Sequence, residues 1–203
     1  MTTYSLDEYQ LKATETAIYK VKVADLLGSA SFDWFDLDAV LYAKLGSLMR
    51  MWYVGLGLAG EICELIAIVD NGTLDVESIT AELGDCMWYA AMIAQELEMP
   101  LSDVARHGVL PPQGMAGARL LTRLIKQYGA VANTLKRLLR DENGKPSKDS
   151  REKLVKAVGS MVVTVRVLSE YYMVGFDTVL STNVEKLADR AARAVLEGSG
   201  DKR

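Results

Sequence analysis

Apolar residues recur at three- and four-residue spacing along most of the chain, and strand-type alternation is nowhere sustained, so the pattern predicts an all-α fold. The segment 6–19 reads as a short amphipathic helix. A long apolar pattern follows over 36–70, with a candidate break near Gly46. Asn71-Gly72 ends it, and Asp75 is placed to cap a helix running to about Glu98. A short turn of helix is expected over 101–107, two long helices over 116–141 and 150–172, and a last helix over 177–197. Proline occurs at Pro100, Pro111, Pro112 and Pro146, at or outside the ends of these patterns, where a missing backbone N–H does least harm. The expected architecture is a single domain, 1–203: a helical bundle of two tandem antiparallel hairpins, about 36–107 and 116–180, followed by the C-terminal helix.

The two hairpins align with each other. Gly57 falls on Gly129 and Asn71-Gly72 on Asn143-Gly144 at an offset of 72 (57 to 129, 71 to 143). After the loop the offset becomes 75: Gly84 falls on Gly159, and LSDV at 101–104 on FDTV at 176–179. An internal duplication with three extra loop residues in the second copy is the expectation.

Charge breaks the apolar pattern at informative places. From Met51 to Val69 the only charges are Glu61 and Glu64, and from Ser78 to Gln95 they are Glu82 and Asp85. A helix without a polar face is expected to be buried, and a buried carboxylate without a counter-charge costs several kcal/mol. Each pair is spaced i, i+3 and so shares one helix face, roughly 4.5 Å apart along the axis. In an antiparallel hairpin centred near residue 73, Glu64 faces Glu82 and Glu61 faces Asp85, across axes about 8–10 Å apart. Four carboxylates in two rungs form an all-oxygen donor set suited to Mg²⁺, with Mn²⁺ as the alternative. A di-iron bundle site would need Glu-x-x-His, and His107, the only histidine, has Val104 three residues before it.

Composition narrows the function classes. Half of the 203 residues are hydrophobic and a quarter charged, with mean hydropathy +0.09, which fits a globular core. No uninterrupted run of about 18 uncharged apolar residues occurs, so no membrane partner is expected. The net charge of −4 argues against nucleic acid as a partner, since phosphate contacts need a basic face. The opening residues show no secretory pattern, and Cys63 and Cys86 read as buried free thiols of a cytoplasmic protein.

The motifs GLAGEICEL (57–65), AELGDCMWYAA (81–91) and TNVEKLADR (182–190) together resemble the MazG-like nucleotide pyrophosphohydrolases of the all-α NTP pyrophosphatase superfamily. The opening DEYQLKATETAIY is similar to that of phage and bacterial members. The resemblance covers about 5–105 and 177–192. It implies a MazG-like four-helix core and Mg²⁺-dependent cleavage of a nucleoside triphosphate to monophosphate and pyrophosphate. It also implies metal ligation and catalysis by Glu61, Glu64, Glu82 and Asp85, and assembly as a homodimer. Two departures stand out: Gly60 occupies a position where many members carry glutamate, and IVDNG at 68–72 replaces a frequent lysine pair.

Other residues extend this reading. Asn183, Lys186 and Arg190 fall at i, i+3, i+7 on one helix face, where lysine and arginine could bind the substrate phosphates. Trp88 and Tyr89 flank the acid face as candidate base contacts, with core packing as the competing role. In the second hairpin the four acids become Asn133, Lys136, Ala157 and Ser160, so no metal site is expected there. Its basic residues Arg119, Arg123, Lys126, Lys136, Arg137 and Arg140 read first as a solvated face. Two alternatives stand beside the nucleoside triphosphate pyrophosphohydrolase: a catalytically silent nucleotide-binding scaffold, and a related enzyme acting on phosphoribosyl-ATP or dUTP.

Overall fold

The structure, a computed structural model, describes residues 2–29, 39–72 and 75–196, with side chains for all of these except 26–44. Among the described residues the secondary structure is entirely helical. The order is α1 (Leu6–Glu15), α2 (Tyr19–Ser29), α3 (Ala39–Asp70), α4 (Val76–Glu96), α5 (Leu101–Arg106), α6 (Gly117–Arg140), α7 (Lys148–Tyr171) and α8 (Phe176–Ala192).

Local chemistry sets the ends. Ser5 caps α1 in a reciprocal box with Glu8, and Asp75 and Ser147 cap α4 and α7 by accepting from the N–H groups of Ser78 and Ser150. The single helix expected over 6–19 is instead two: α1 closes at Thr16, and α2 begins at Tyr19. The long helix α3 is continuous through Gly46, which is buried; the roughly 1 kcal/mol that a mid-helix glycine costs does not outweigh packing on both sides of it. Residues 36–38 and 197, at the edges of two expected helices, lie outside the described residues.

Contacts along α3 and α4 run antiparallel: Arg50 pairs with Glu96, Gly57 lies under the Tyr89 ring, and Glu61 and Glu64 meet Glu82. The same holds for α6 and α7, where Gly117 lies against Tyr171, Gln127 bonds Thr164, and Arg137 pairs with Asp149. Helix α4 is central, touching α1, α3, α5, α7 and α8. Its run Ala90–Ala94 is buried on every side.

The two hairpins pack in matching fashion. Helix α4 lies against α8, and α7 lies against α5. The end of α4 and the end of α7 correspond bond for bond. Leu97, Glu98 and Met99 donate to Ile93, Gln95 and Ala94; Tyr172, Met173 and Val174 donate to Leu168, Glu170 and Ser169, each 75 positions on (97 to 172, 93 to 168). Glu98 and Met173 share a left-handed φ, 54° and 58°. A Cβ on Gly84 would come 2.8 Å from Asn183 Cβ, and one on Gly159 would strike Val104 O and the Gly108 backbone. Residues 108 and 183 are themselves counterparts at that offset. The N-caps Asp75 and Ser147, by contrast, keep the offset of 72. The three extra residues therefore sit in α7, 24 residues long against 21 for α4, and not in the loop as expected.

Helix α3 corrects a second expectation. It is not buried all round: Tyr53, Leu56, Cys63 and Ala67 are exposed along one stripe, because its neighbours α2, α4 and α6 leave that side open. Cys63 is thus exposed, and only Cys86 is a buried thiol. Residues Leu45–Asp70 are long and apolar enough to cross a membrane by length and composition, with 28% of the apolar window buried. The same composition serves the packing of α3 on α4 and α6.

Candidate functional site

The acid site is built by α3 and α4 and closed by α8 and α1. Glu61 and Glu64 project from one turn of α3, and Glu82 meets them from α4. One carboxylate oxygen from each of the three lies within 4.8 Å of the other two. Burial is graded across the cluster: Glu64 is exposed, Glu61 half-buried, and Glu82 only 4% exposed. The expectation of four buried acids therefore fails at Glu64, which sits toward the open side of α3.

Asp85 stands beside the three glutamates but is drawn toward α8. Its Oδ1 accepts from Asn183 Nδ2 at 2.8 Å, and its Oδ2 from Lys186 Nζ at 2.6 Å. This ion pair is largely sheltered, with 17% and 16% of the two side chains exposed. Asn183 is fully engaged, because its Oδ1 accepts from Tyr9 Oη at 2.8 Å. Tyr9 Oη also reaches Gly84 O at 3.2 Å. The close seat of Asn183 on α4 requires a glycine at 84, since any Cβ there would meet it.

The electrostatics follow from this crowding. Burial first, then the charges of Asp85 and Glu64, push the Glu61 carboxyl up to about 7, against the pull of a hydrogen bond with Glu82 and the charge of Lys186. Burial, followed by the charges of Glu61, Asp85 and Glu82, raises the Cys86 thiol, which keeps it protonated. Converging carboxylates repel one another, and an all-oxygen set of this kind fits a hard divalent cation.

Of the residues expected to bind phosphate, Asn183 joins Asp85 to Tyr9 and Lys186 pairs with Asp85. Arg190, two turns along α8 from Asn183, is 7% exposed and buried against the bundle.

Trp88, half-buried, ties two helices together. Its Nε1 donates to Ala13 O at 3.1 Å and Thr16 Oγ1 at 3.2 Å, pinning α4 to the end of α1, and its ring lies edge-on to Tyr19 and Tyr89. Tyr89 packs over Gly57, and burial raises its phenol beside Tyr53 and Glu61. Sequence reasoning missed Tyr9. The signal lay in the apolar stripe of α1, in which Tyr9 and Ala13 are both completely buried.

The all-helical bundle thus sets E-x-x-E on α3 against E-x-x-D on α4. Residues 54–109, which carry all four acids, match the family model described as the MazG nucleotide pyrophosphohydrolase domain. The Gene 37 protein of Mycobacterium phage L5 is 35% identical over 80 residues, covering 39% of this chain and 70% of that protein. The chain belongs to the MazG nucleotide pyrophosphohydrolase family. No solved structure matches it. The family match ends before α6, so the second hairpin lies beyond it.

Proposed function

We propose that the protein hydrolyses a nucleoside triphosphate to the monophosphate and pyrophosphate at the acid site of the first hairpin, with Mg²⁺ or Mn²⁺ held by Glu61, Glu64, Glu82 and Asp85. The observation that carries this reading is the approach of three glutamate oxygens to within 4.8 Å of one another beside the Asp85–Lys186 pair. When bound, the cation neutralises phosphate charge and acidifies a water.

The chain's own residues do the rest. Water adds to one phosphorus, the bond to the bridging oxygen breaks, and a carboxylate of the cluster takes the proton of the water. Asp85 would share in holding the cation, which would leave Lys186, beside it at 2.6 Å, to meet the substrate phosphates, while Asn183, fixed by Tyr9, keeps Asp85 in register. Tyr89 at the edge of the cluster remains the candidate base contact. Arg190 is assigned to support of α8.

We read the second hairpin as a duplicated copy that has lost its acids and now covers the first. The corresponding helix ends and the reciprocal seating of Gly84 and Gly159 support this. The exposed stripe on α3 supports a homodimer, and the family and composition support a cytoplasmic location; sedimentation of the full chain tests the first.

The decisive experiment incubates the protein with each of the eight common NTPs and dNTPs, with Mg²⁺ and with EDTA, and separates the products. Monophosphate and pyrophosphate formed only with metal are expected. Diphosphate and inorganic phosphate, or no turnover of any of the eight, would overturn the reading.

A further inference from the structure

The place in the second hairpin that corresponds to the acid site is not filled in. Asn133, Ala157 and Ser160, the counterparts of Glu61, Glu82 and Asp85, line a cavity of about 640 Å³ between α6 and α7. That volume lies within the span of small-molecule sites, roughly 300–1,000 Å³. The charge at this place is reversed. Arg123 and Lys126 of α6 and Lys153 and Lys156 of α7 line the cavity, and among the described residues no carboxylate does. The first hairpin has no lysine or arginine from Met51 to Gln95, so the cations are particular to the second.

Several of these groups lack an intramolecular use. Lys153 is held by Asp149 at 2.7 Å, outside the cavity, but neither Lys126 nor Lys156 makes an ion pair among the described residues. Arg123 donates through Nη2 to Val109 O at 2.6 Å, while its Nε is buried and meets no acceptor. One turn further, Gln127 is 9% exposed; its Nε2 donates to Thr164 Oγ1 at 3.0 Å, yet its Oε1 is buried and meets no donor. A cationic donor and a neutral acceptor are thus left without partners on neighbouring turns of one helix, both on residues that line the same cavity. Unpaired buried polar groups of this kind are few in a folded protein and call for an explanation. The rest of the wall is apolar at Val109, Ala130 and Ala157, with Thr134, whose hydroxyl donates to Ala130 O at 2.9 Å.

We propose that this cavity is a second, metal-independent nucleotide site. Its lysines and Arg123 take the phosphates, the apolar wall takes the flat face of the base or sugar, and Gln127 Oε1 accepts from a donor on the base or a ribose hydroxyl. In the first hairpin a cation would mediate between acids and phosphate; here the acids are gone and protein cations meet the phosphate directly. The chain would then hold two nucleotides on corresponding hairpins, one at a metal site and one at a basic site. This assignment is independent of whether the acid site turns over substrate.

The test is calorimetric titration of the full chain with ATP in EDTA, which removes metal from the first site and prevents turnover. Binding is expected to persist, to weaken steeply with salt, and to change less than twofold in Glu64→Gln. The double variant Lys126→Ala/Lys156→Ala should weaken it at least tenfold. The single exposed change Lys156→Gln, expected to weaken it at least threefold, serves if the double variant fails to fold. Inorganic pyrophosphate should bind at least tenfold more weakly than ATP, because it reaches neither the apolar wall nor Gln127. No metal-free binding, or binding indifferent to both lysine changes, would overturn the site. Equal affinities for pyrophosphate and ATP would overturn its assignment to a nucleotide.

Discussion

The two hairpins share a scaffold and differ in what they hold. In the first, α4 is seated against the seventeen-residue α8, which brings Asn183 and Lys186 onto Asp85. In the second, α7 is seated against α5, which stops after six residues, and the chain turns away at Gly108. Ser160, at the position of Asp85, accepts at its hydroxyl from the backbone N–H of Val109 at 3.1 Å. The extension of α8 brings Lys186 to one hairpin, while the basic residues beside the other stand on its own helices, α6 and α7.

The largest expected difference between the two is catalytic. Glu82→Gln or Asp85→Asn should lower turnover by about 100-fold or more, since each removes a charge that a cation or its counter-ion relies on. The helical circular dichroism signal should be unchanged. In the second hairpin, Asn133→Ala and Ser160→Ala, at the positions of Glu61 and Asp85, should leave turnover within about twofold. Near-normal rates in the first pair, or a comparable loss in the second, would erase the functional contrast between the hairpins.

The glycines test whether the scaffold really is shared. Gly84→Ala and Gly159→Ala should both destabilise, by about 1–3 kcal/mol, the usual range for overpacking. Gly159→Ala should be the worse of the two, because its Cβ meets a backbone carbonyl that cannot rotate away, whereas Gly84→Ala meets the Asn183 side chain. Only Gly84→Ala should also lower turnover, through Asn183 and Asp85. Urea midpoints and rates measured on the same samples separate these outcomes. A harmless Gly159→Ala would mean that the seating of α7 on α5 is loose and unlike that of α4 on α8.

Much of this arrangement was legible in the chain, and the failures have physical causes. Helix existence followed from apolar periodicity, and counting outward from the turn near residue 73 set Glu64 against Glu82 and Glu61 against Asp85, whereas Glu61 also meets Glu82. The acids stood out because charge is rare in α3 and α4. What one-dimensional spacing could not convey was the third dimension around each helix. An apolar run reads the same whether its outer side is covered or open, so Cys63 and Glu64 were expected to be buried and are exposed. Spacing also could not convey that Lys186 pairs with Asp85 and that the Trp88 Nε1 donates to the end of α1. The break between α1 and α2 was hidden because Ala17 and Ile18 continue the apolar pattern through it. Tyr9 was passed over because a tyrosine on an amphipathic helix looks the same whether its hydroxyl meets water or Asn183.

The smallest expected effect concerns protons, and it too separates the hairpins. Burial and neighbouring acids raise Glu61 to about 7 in the folded chain, against about 4.5 for an unhindered glutamate. Between those values the folded state binds more protons than the unfolded one, so this group's contribution to stability falls as pH rises from about 4.5 through 7. In EDTA the melting temperature should therefore drop between pH 5 and pH 8. Glu61→Gln, which cannot ionise, should flatten that drop, while Asn133→Ala in the second hairpin should leave it untouched. Mg²⁺ should restore the stability lost at pH 8 in the parent chain, because a cation bound to the folded state alone favours the deprotonated cluster. Thermal scans at four or five pH values, with and without metal, would show this. A slope unchanged by Glu61→Gln would mean that the proton uptake lies elsewhere and that the first hairpin is no more electrostatically strained than the second.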